Sequence, residues 1–243
     1  RSLTVKRGDK IVLKELNAEF TGPGLYQVIG PNGSGKTTLL LAILGAIRPM
    51  SGTIEIGVPR GYSKPLFSFA PQTYSIPSDA PITVYEFLSN YLDLTCSWPR
   101  VFPRHDWSGR VKGILEAFHV PSSLWSEKIY NLSGGILQRV FLARAFVVDA
   151  LYTLLDEPLS NIDPEGKVEV AEIIGEFSKN RLVIITSHDP VLLLDYTKKI
   201  LLLGYGFYEF GDVDSIMKYD VLRKFYKKCA IEIEKHIHIA DWH

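Results

Sequence analysis

At 243 residues the chain can form one large domain, or a core with a subdomain, and can bury a sizeable core. Lys plus Arg and Asp plus Glu both number 27, so a balanced charge gives no global pull towards nucleic acid or an anionic membrane. Cys96 and Cys229 stand far apart without metal-ligand spacing, which points to ordinary thiols in a reduced, cytoplasmic compartment.

Leu3-Thr4-Val5 and Ile11-Val12-Leu13 flank the turn-prone Arg7-Gly8-Asp9-Lys10 and predict a hairpin. Leu16, Ala18 and Phe20 alternate with polar residues and predict a half-buried strand, broken by Gly22-Pro23-Gly24. Leu25 to Ile29 reads as a buried strand running into Gly30-Pro31-Asn32-Gly33-Ser34-Gly35-Lys36-Thr37-Thr38. That stretch fits the phosphate-loop pattern G-x-x-x-x-G-K-[ST], with Gly30, Gly35, Lys36 and Thr37 at the fixed positions. Glycines let backbone N–H groups wrap a polyphosphate closely, and the following helix, expected over Thr38 to Ile47, puts its N-terminus beneath the phosphates. Lys36 is placed to reach the β and γ phosphates, and the Thr37 hydroxyl to ligate Mg²⁺. After the break at Arg48-Pro49-Met50-Ser51-Gly52, Thr53-Ile54-Glu55-Ile56 alternates like another strand. The first sixty or so residues therefore predict an antiparallel β layer attached to a phosphate-binding core.

Beyond Ser68-Phe69-Ala70-Pro71-Gln72 the patterns become helical. Val84, Phe87, Leu88 and Tyr91 fall on one helix face, as do Val111, Ile114, Leu115 and Phe118, with an aromatic-anchored loop from Ser97 to Trp107 between them. Asn131-Leu132-Ser133-Gly134-Gly135 opens a further apolar helix that Asn131 or Ser133 can cap. Leu151 to Leu155 is a buried strand ending in Asp156-Glu157, and Pro164 starts a helix burying Val170, Ile173, Ile174 and Phe177. Leu182 to Ile185 is the next core strand and ends near His188. Phe207 to Phe210 predicts a last strand, and 214–228 a basic, aromatic helix. This alternation predicts an α/β fold: a P-loop core with a mainly parallel sheet flanked by helices, an N-terminal antiparallel β layer and an inserted helical subdomain.

Asp156 at a core-strand terminus can hold Mg²⁺ through its water shell, and Glu157 can accept a proton from an attacking water or orient it. By strand adjacency His188 belongs at the same sheet edge, within reach of a γ-phosphate.

With Leu132-Ser133-Gly134-Gly135 added, the sequence resembles the ATP-binding subunit of the ABC transporter family from Leu3 to about Tyr226. The motifs that carry the resemblance are the phosphate loop, Gln72, the signature at 132–135, the Asp156-Glu157 pair, Ser160-Asn161-Ile162-Asp163 and His188, in that order. The resemblance implies a single ABC ATP-binding domain over 1–243. Residues 1–72 and 148–213 form the nucleotide-binding core, 73–147 the helical subdomain carrying the signature, and 214–243 a C-terminal tail.

It further implies that residues 30–38 bind ATP, that Thr37, Gln72 and Asp156 arrange Mg²⁺, and that Glu157, His188 and Gln72 are catalytic. Ser133, Gly134 and Gly135 would close over ATP held by a second copy or a related subunit, in a head-to-tail dimer. Two departures stand out: Ile136 replaces the usual Gln after the signature glycines, and no aromatic residue occurs in 1–19 to stack adenine, leaving Arg7 or nothing for that role.

Within the family, Pro81-Ile82-Thr83-Val84 and Val221-Leu222-Arg223-Lys224-Phe225-Tyr226 are similar to importers of metal ions or metal chelates. No apolar run approaches the ~20 residues of a spanning helix, and no signal-peptide pattern opens the chain. A permease would thus hold the protein at the inner face of the membrane. The alternatives are a soluble ABC-type ATPase serving iron–sulfur cluster assembly and a non-hydrolysing regulatory module. The tail places His236 and His238 on one face of a strand, as a polar tail or a weak sensor of the transported metal.

Overall fold

The computed structural model describes residues 1–58, 65–73, 81–95, 106–188 and 190–226, with the backbone of two strands at 230–233 and 236–239. Cys96 and Cys229, and the 97–105 part of the expected aromatic loop, lie outside the described residues.

The organising element is a six-stranded sheet. It contains β3 (Gly24–Ile29), β4 (Phe67–Ala70), β5 (Tyr152–Asp156), β6 (Leu182–Ser187), β7 (Thr197–Leu203) and β8 (Tyr208–Gly211), in spatial order β4-β5-β6-β3-β7-β8. All neighbours are parallel except β7 and β8. Leu25, Val28, Leu154, Leu155, Val183 and Ile185 are fully buried, as expected of strands covered on both faces. Each such side chain contributes about 1.5–3 kcal/mol of burial free energy. The carboxyl ends of β3, β4, β5 and β6 share one edge, where an α/β sheet collects its ligand-binding loops.

β1 (Leu3–Arg7) and β2 (Lys10–Leu16) form the expected antiparallel hairpin. It lays Leu3, Val5, Leu13 and Leu16 on Leu39 and Leu40 of α1 (Lys36–Ile43). Three expectations for the first sixty residues need correction.

The strand expected through Leu16, Ala18 and Phe20 stops at Leu16. Beyond it the backbone is satisfied by side chains rather than by a ladder: the Tyr208 hydroxyl accepts the Asn17 N–H and the Tyr26 hydroxyl accepts the Thr21 N–H. Phe20 still packs edge-on to Tyr26 and Phe210. Residues 53–56 form no strand, because contact with β1 is confined to one bridge, Thr4 to Ser51, and flanking bonds such as Met50 N–H to the Thr4 carbonyl. The α1 helix ends at Ile43 instead of Ile47. Gly45, at φ 75°, closes it with a Schellman pair of bonds: Ala46 N–H to the Leu41 carbonyl at 2.9 Å and Gly45 N–H to the Ala42 carbonyl at 3.0 Å.

Helices α2 (Val84–Thr95), α3 (Ser108–Ala117) and α4 (Gly134–Phe146) pack through Leu88, Leu92, Val111, Leu115, Val140 and Phe146. A capping box opens α2: Thr83 Oγ1 accepts the Glu86 N–H at 3.2 Å, and the Glu86 carboxylate accepts the Thr83 N–H at 2.9 Å. Helix α5 (Pro164–Ser178) begins with proline in its first turn and Asp163 capping the Gly166 N–H at 3.1 Å. The helix expected over 214–228 is instead two, α6 (Val213–Ile216) and α7 (Tyr219–Tyr226). Met217 leaves helical geometry at ψ 25° between them. The last strands, β9 (Ala230–Ile233) and β10 (His236–Ile239), form a separate antiparallel pair, so the expected strand through His236 and His238 is present. Among the described residues no helix is long and apolar enough to cross a membrane.

Candidate nucleotide site

The sheet edge gathers the residues singled out in the sequence. The phosphate loop follows β3, Gln72 follows β4, Glu157 follows β5 and His188 follows β6, on four consecutive strands of the sheet. The loop turns on itself through the Ser34 N–H to Pro31 carbonyl bond (3.1 Å) and then enters α1, whose first N–H groups have no intrahelical partner. Asn32 and Gly33 are exposed, whereas Ser34, Gly35, Lys36 and Thr38 are buried and Thr37 is half-buried. Gly30 leaves no room for a side chain: a Cβ there would sit 2.2 Å from the Leu203 carbonyl oxygen.

Glu157 is the centre of the polar constellation. Its Oε2 accepts a 2.6 Å hydrogen bond from Gln72 Nε2, and its Oε1 lies 2.6 Å from His188 Nε2 and 3.8 Å from Lys36 Nζ. The Lys36 side chain is 5% exposed, and its ammonium donates to the Gly30 carbonyl at 2.8 Å. Burial, the largest single influence, pushes the Glu157 carboxyl up. The His188 hydrogen bond and charge, with the Lys36 charge, outweigh it and hold the group below the usual glutamate range. It is therefore a carboxylate at neutral pH. Glu157 also sits at φ 49°, a left-handed conformation that costs a non-glycine residue about 1–3 kcal/mol and is kept only where the surroundings impose it.

Asp156 is 2% exposed and ends β5. Its Oδ1 accepts the Thr186 hydroxyl proton at 2.6 Å, and the same hydroxyl accepts the Glu157 N–H at 2.8 Å. Sequence reasoning missed Thr186; the only signal was a hydroxyl at the end of an apolar strand.

The residues present suit a magnesium–nucleotide: a side-chain-free cradle, a buried ammonium, a hydroxyl at Thr37 and a buried carboxylate at Asp156. Gln72 donates through Nε2 to Glu157, which leaves its amide oxygen as the atom suited to a hard cation.

The signature residues stand apart on α4. Ser133 is the N-cap, yet its side chain makes no capping bond, and Ser133 and Gly134 are exposed. Behind them Gln138 Nε2 donates to the Pro158 carbonyl at 2.9 Å, tying the signature helix to the loop that carries Glu157. Arg139 reaches Glu169 of α5 at 2.7 Å.

Arg7 is exposed at the end of the hairpin, paired in register with Lys10. An unforeseen aromatic residue lies nearby. Tyr205, in the turn after β7, donates to the Asn32 carbonyl at 2.9 Å and carries Lys10 Nζ 5.7 Å from its ring centroid. An open groove of about 1020 Å³ between the hairpin and the sheet, lined by Leu16, Phe20, Ile43, Leu154 and Ile184, contains none of the phosphate-site residues.

Fold and site together define an ATP-binding cassette, and the comparisons agree. Residues 13–160 match the family model described as "ABC transporter". The chain is 34% identical over 84% of its length to the zinc import ATP-binding protein ZnuC 2 of Hahella chejuensis, covering 77% of that protein. It is 31% identical over 95% of its length to the zinc import ATP-binding protein ZnuC of Saccharophagus degradans, covering 85% of it. Among solved structures, an inward-facing ABC transporter of metal-chelate type superposes with a TM-score of 0.79 at 24% identity, over 98% of this chain and 93% of that one. The dimeric cassette MJ0796 with ADP and phosphate gives 0.72 at 21% identity, over 86% and 96%. The chain belongs to the ABC transporter family. It is an ATP-binding cassette of the ATP-hydrolysing type.

Proposed function

We propose that this chain is the energising subunit of an importer of metal ions or metal chelates, hydrolysing ATP at a site shared between two cassettes. The observation that carries the reading is Glu157, held as a carboxylate among Gln72, His188 and Lys36 at the mouth of the phosphate loop.

The backbone N–H groups of residues 30–38 and the Lys36 ammonium bind the phosphates. Thr37, the Gln72 amide oxygen and Asp156 are the groups that would hold Mg²⁺, which when bound neutralises charge on the β and γ phosphates. Glu157 accepts a proton from the attacking water as its oxygen bonds to the γ-phosphorus and the bond to the β-phosphate oxygen breaks. His188, hydrogen-bonded to the same carboxylate, aligns it and donates towards the γ-phosphate. Ser133 and Gly135 of a second cassette supply N–H and O–H donors across the interface, consistent with an exposed Ser133 and a half-buried Gly135 at the start of α4. Ile136 gives up one polar contact there. Arg7 is the hairpin residue that would stack on the base, if any does.

A permease partner holds the chain at the inner face of the membrane. The relatives described above are import ATP-binding proteins, which supports metal import over service to a cytosolic assembly. The test is phosphate release by the purified chain, followed by co-expression with a polytopic permease. Hydrolysis without recovery of any membrane partner would favour the alternative, a soluble ATPase serving a cytosolic assembly.

A further inference from the structure

Thr186 is fully buried in β6, and the parallel register sets it beside Asp156 of β5. Its single hydroxyl is used in both directions: the proton goes to Asp156 Oδ1 at 2.6 Å and the oxygen accepts the Glu157 N–H at 2.8 Å. One group on the neighbouring strand therefore grips two consecutive acidic residues. The first bond fixes the rotation of the Asp156 carboxylate. The second fixes the plane of the peptide that enters Glu157, the residue whose left-handed φ of 49° turns its side chain back to Gln72, His188 and Lys36. The rest of β6 from Leu182 to Ile185 is apolar and packs the core, so the hydroxyl is not explained by packing.

We propose that Thr186 is a positioning residue for the hydrolytic centre, holding Asp156 in the orientation that receives the cation and Glu157 in the orientation that receives the water proton. The roles of the two carboxylates rest on the ATPase reading given above; their being held by Thr186 does not.

Thr186→Val keeps the branched shape suited to a strand and removes both hydrogen bonds, whereas Thr186→Ser keeps the hydroxyl. The full chain and both variants are compared in steady-state ATP hydrolysis. Calorimetry with ATP lacking divalent metal and Mn²⁺ titration of the ATP-loaded protein by electron paramagnetic resonance complete the comparison. Loss of an outer partner to a cation-holding carboxylate predicts Mn²⁺ affinity about 10–100-fold weaker in Thr186→Val. With the base misdirected as well, kcat should fall by about 30-fold or more while KM stays within about threefold.

Metal-free ATP affinity should not change, because the phosphate loop is untouched, and Thr186→Ser should recover kcat and Mn²⁺ affinity to within about threefold of wild type. Three results would overturn the inference: wild-type kcat and Mn²⁺ affinity in Thr186→Val, a serine variant as impaired as the valine one, or equal loss of metal-free ATP binding. If the wild-type chain hydrolyses no ATP, the ATPase reading falls. A valine-specific loss of Mn²⁺ affinity would then still uphold the grip on Asp156.

Discussion

Replacing Gly30 with alanine tests whether the phosphate loop owes its shape to contact with β7. A Cβ at Gly30 would meet the Leu203 carbonyl oxygen at 2.2 Å and Ser34 Oγ at 2.8 Å, on a backbone at φ 149°. The first neighbour is main chain, fixed by the pairing of Ile29 with Leu202, and cannot swing aside as a side chain would. Overpacking of this kind costs about 1–3 kcal/mol, and a φ that L-residues rarely adopt adds about 1–3 kcal/mol. The protein relieves the total by lifting the loop off β7. That displaces the N–H donors and the Gly30 carbonyl, which anchors Lys36 at 2.8 Å. At about 1.4 kcal/mol per tenfold, a strain of about 2–6 kcal/mol predicts ATP binding weakened by about 30-fold to about 10⁴-fold. Calorimetry with ATP measures the loss, and a melting curve confirms that the variant remains folded. A folded Gly30→Ala protein with wild-type affinity would show that contact with β7 does not shape the loop.

Lys36→Ala is expected to weaken ATP binding by at least about 10–100-fold, since each hydrogen bond to a charged group is worth about 1.5–3 kcal/mol; near-normal affinity by calorimetry would remove Lys36 from phosphate binding. Stability should also respond to acid through Glu157. Its folded pKa lies below its unfolded value, so its contribution is full above the ordinary glutamate pKa of about 4.3 and is lost as pH falls through the folded value. The wild-type advantage in melting temperature over Glu157→Gln should therefore shrink below about pH 4, and a difference that stays constant across that range would contradict the assigned environment.

The phosphate site was legible because it depends on spacing and on one topological rule. The fixed positions Gly30, Gly35, Lys36 and Thr37 mark the loop, and loops at the carboxyl ends of adjacent parallel strands must meet, which brings Asp156, Glu157 and His188 to it. Thr186 and Gln138 were not legible, because each acts on a residue of another element through the register of β5 with β6 or the seating of α4 on the 158 carbonyl. Alternation misled at residues 16–20 and 53–56 for a different reason. A half-buried segment can keep period-two burial without a ladder: the hydroxyls of Tyr208 and Tyr26 take the Asn17 and Thr21 N–H groups in the first stretch, and in the second, among the described residues, only Thr53 pairs with the Arg1 main chain. Gly45 was present in the sequence as a stop signal for α1, but the apolar run through Ile47 outweighed it.

Whether Glu157 activates water at a site completed by a second cassette is decided by Glu157→Gln. Glutamine keeps the length and hydrogen-bonding reach of the side chain but cannot take the proton, and it removes a negative charge facing the γ-phosphate. Size exclusion with light scattering, with and without ATP, is the measurement. ATP should convert the variant from one chain of 27.4 kDa to a stable species of twice that mass, with nucleotide trapped in it. A variant that binds ATP yet stays at 27.4 kDa at saturating nucleotide would contradict closure of this chain on itself.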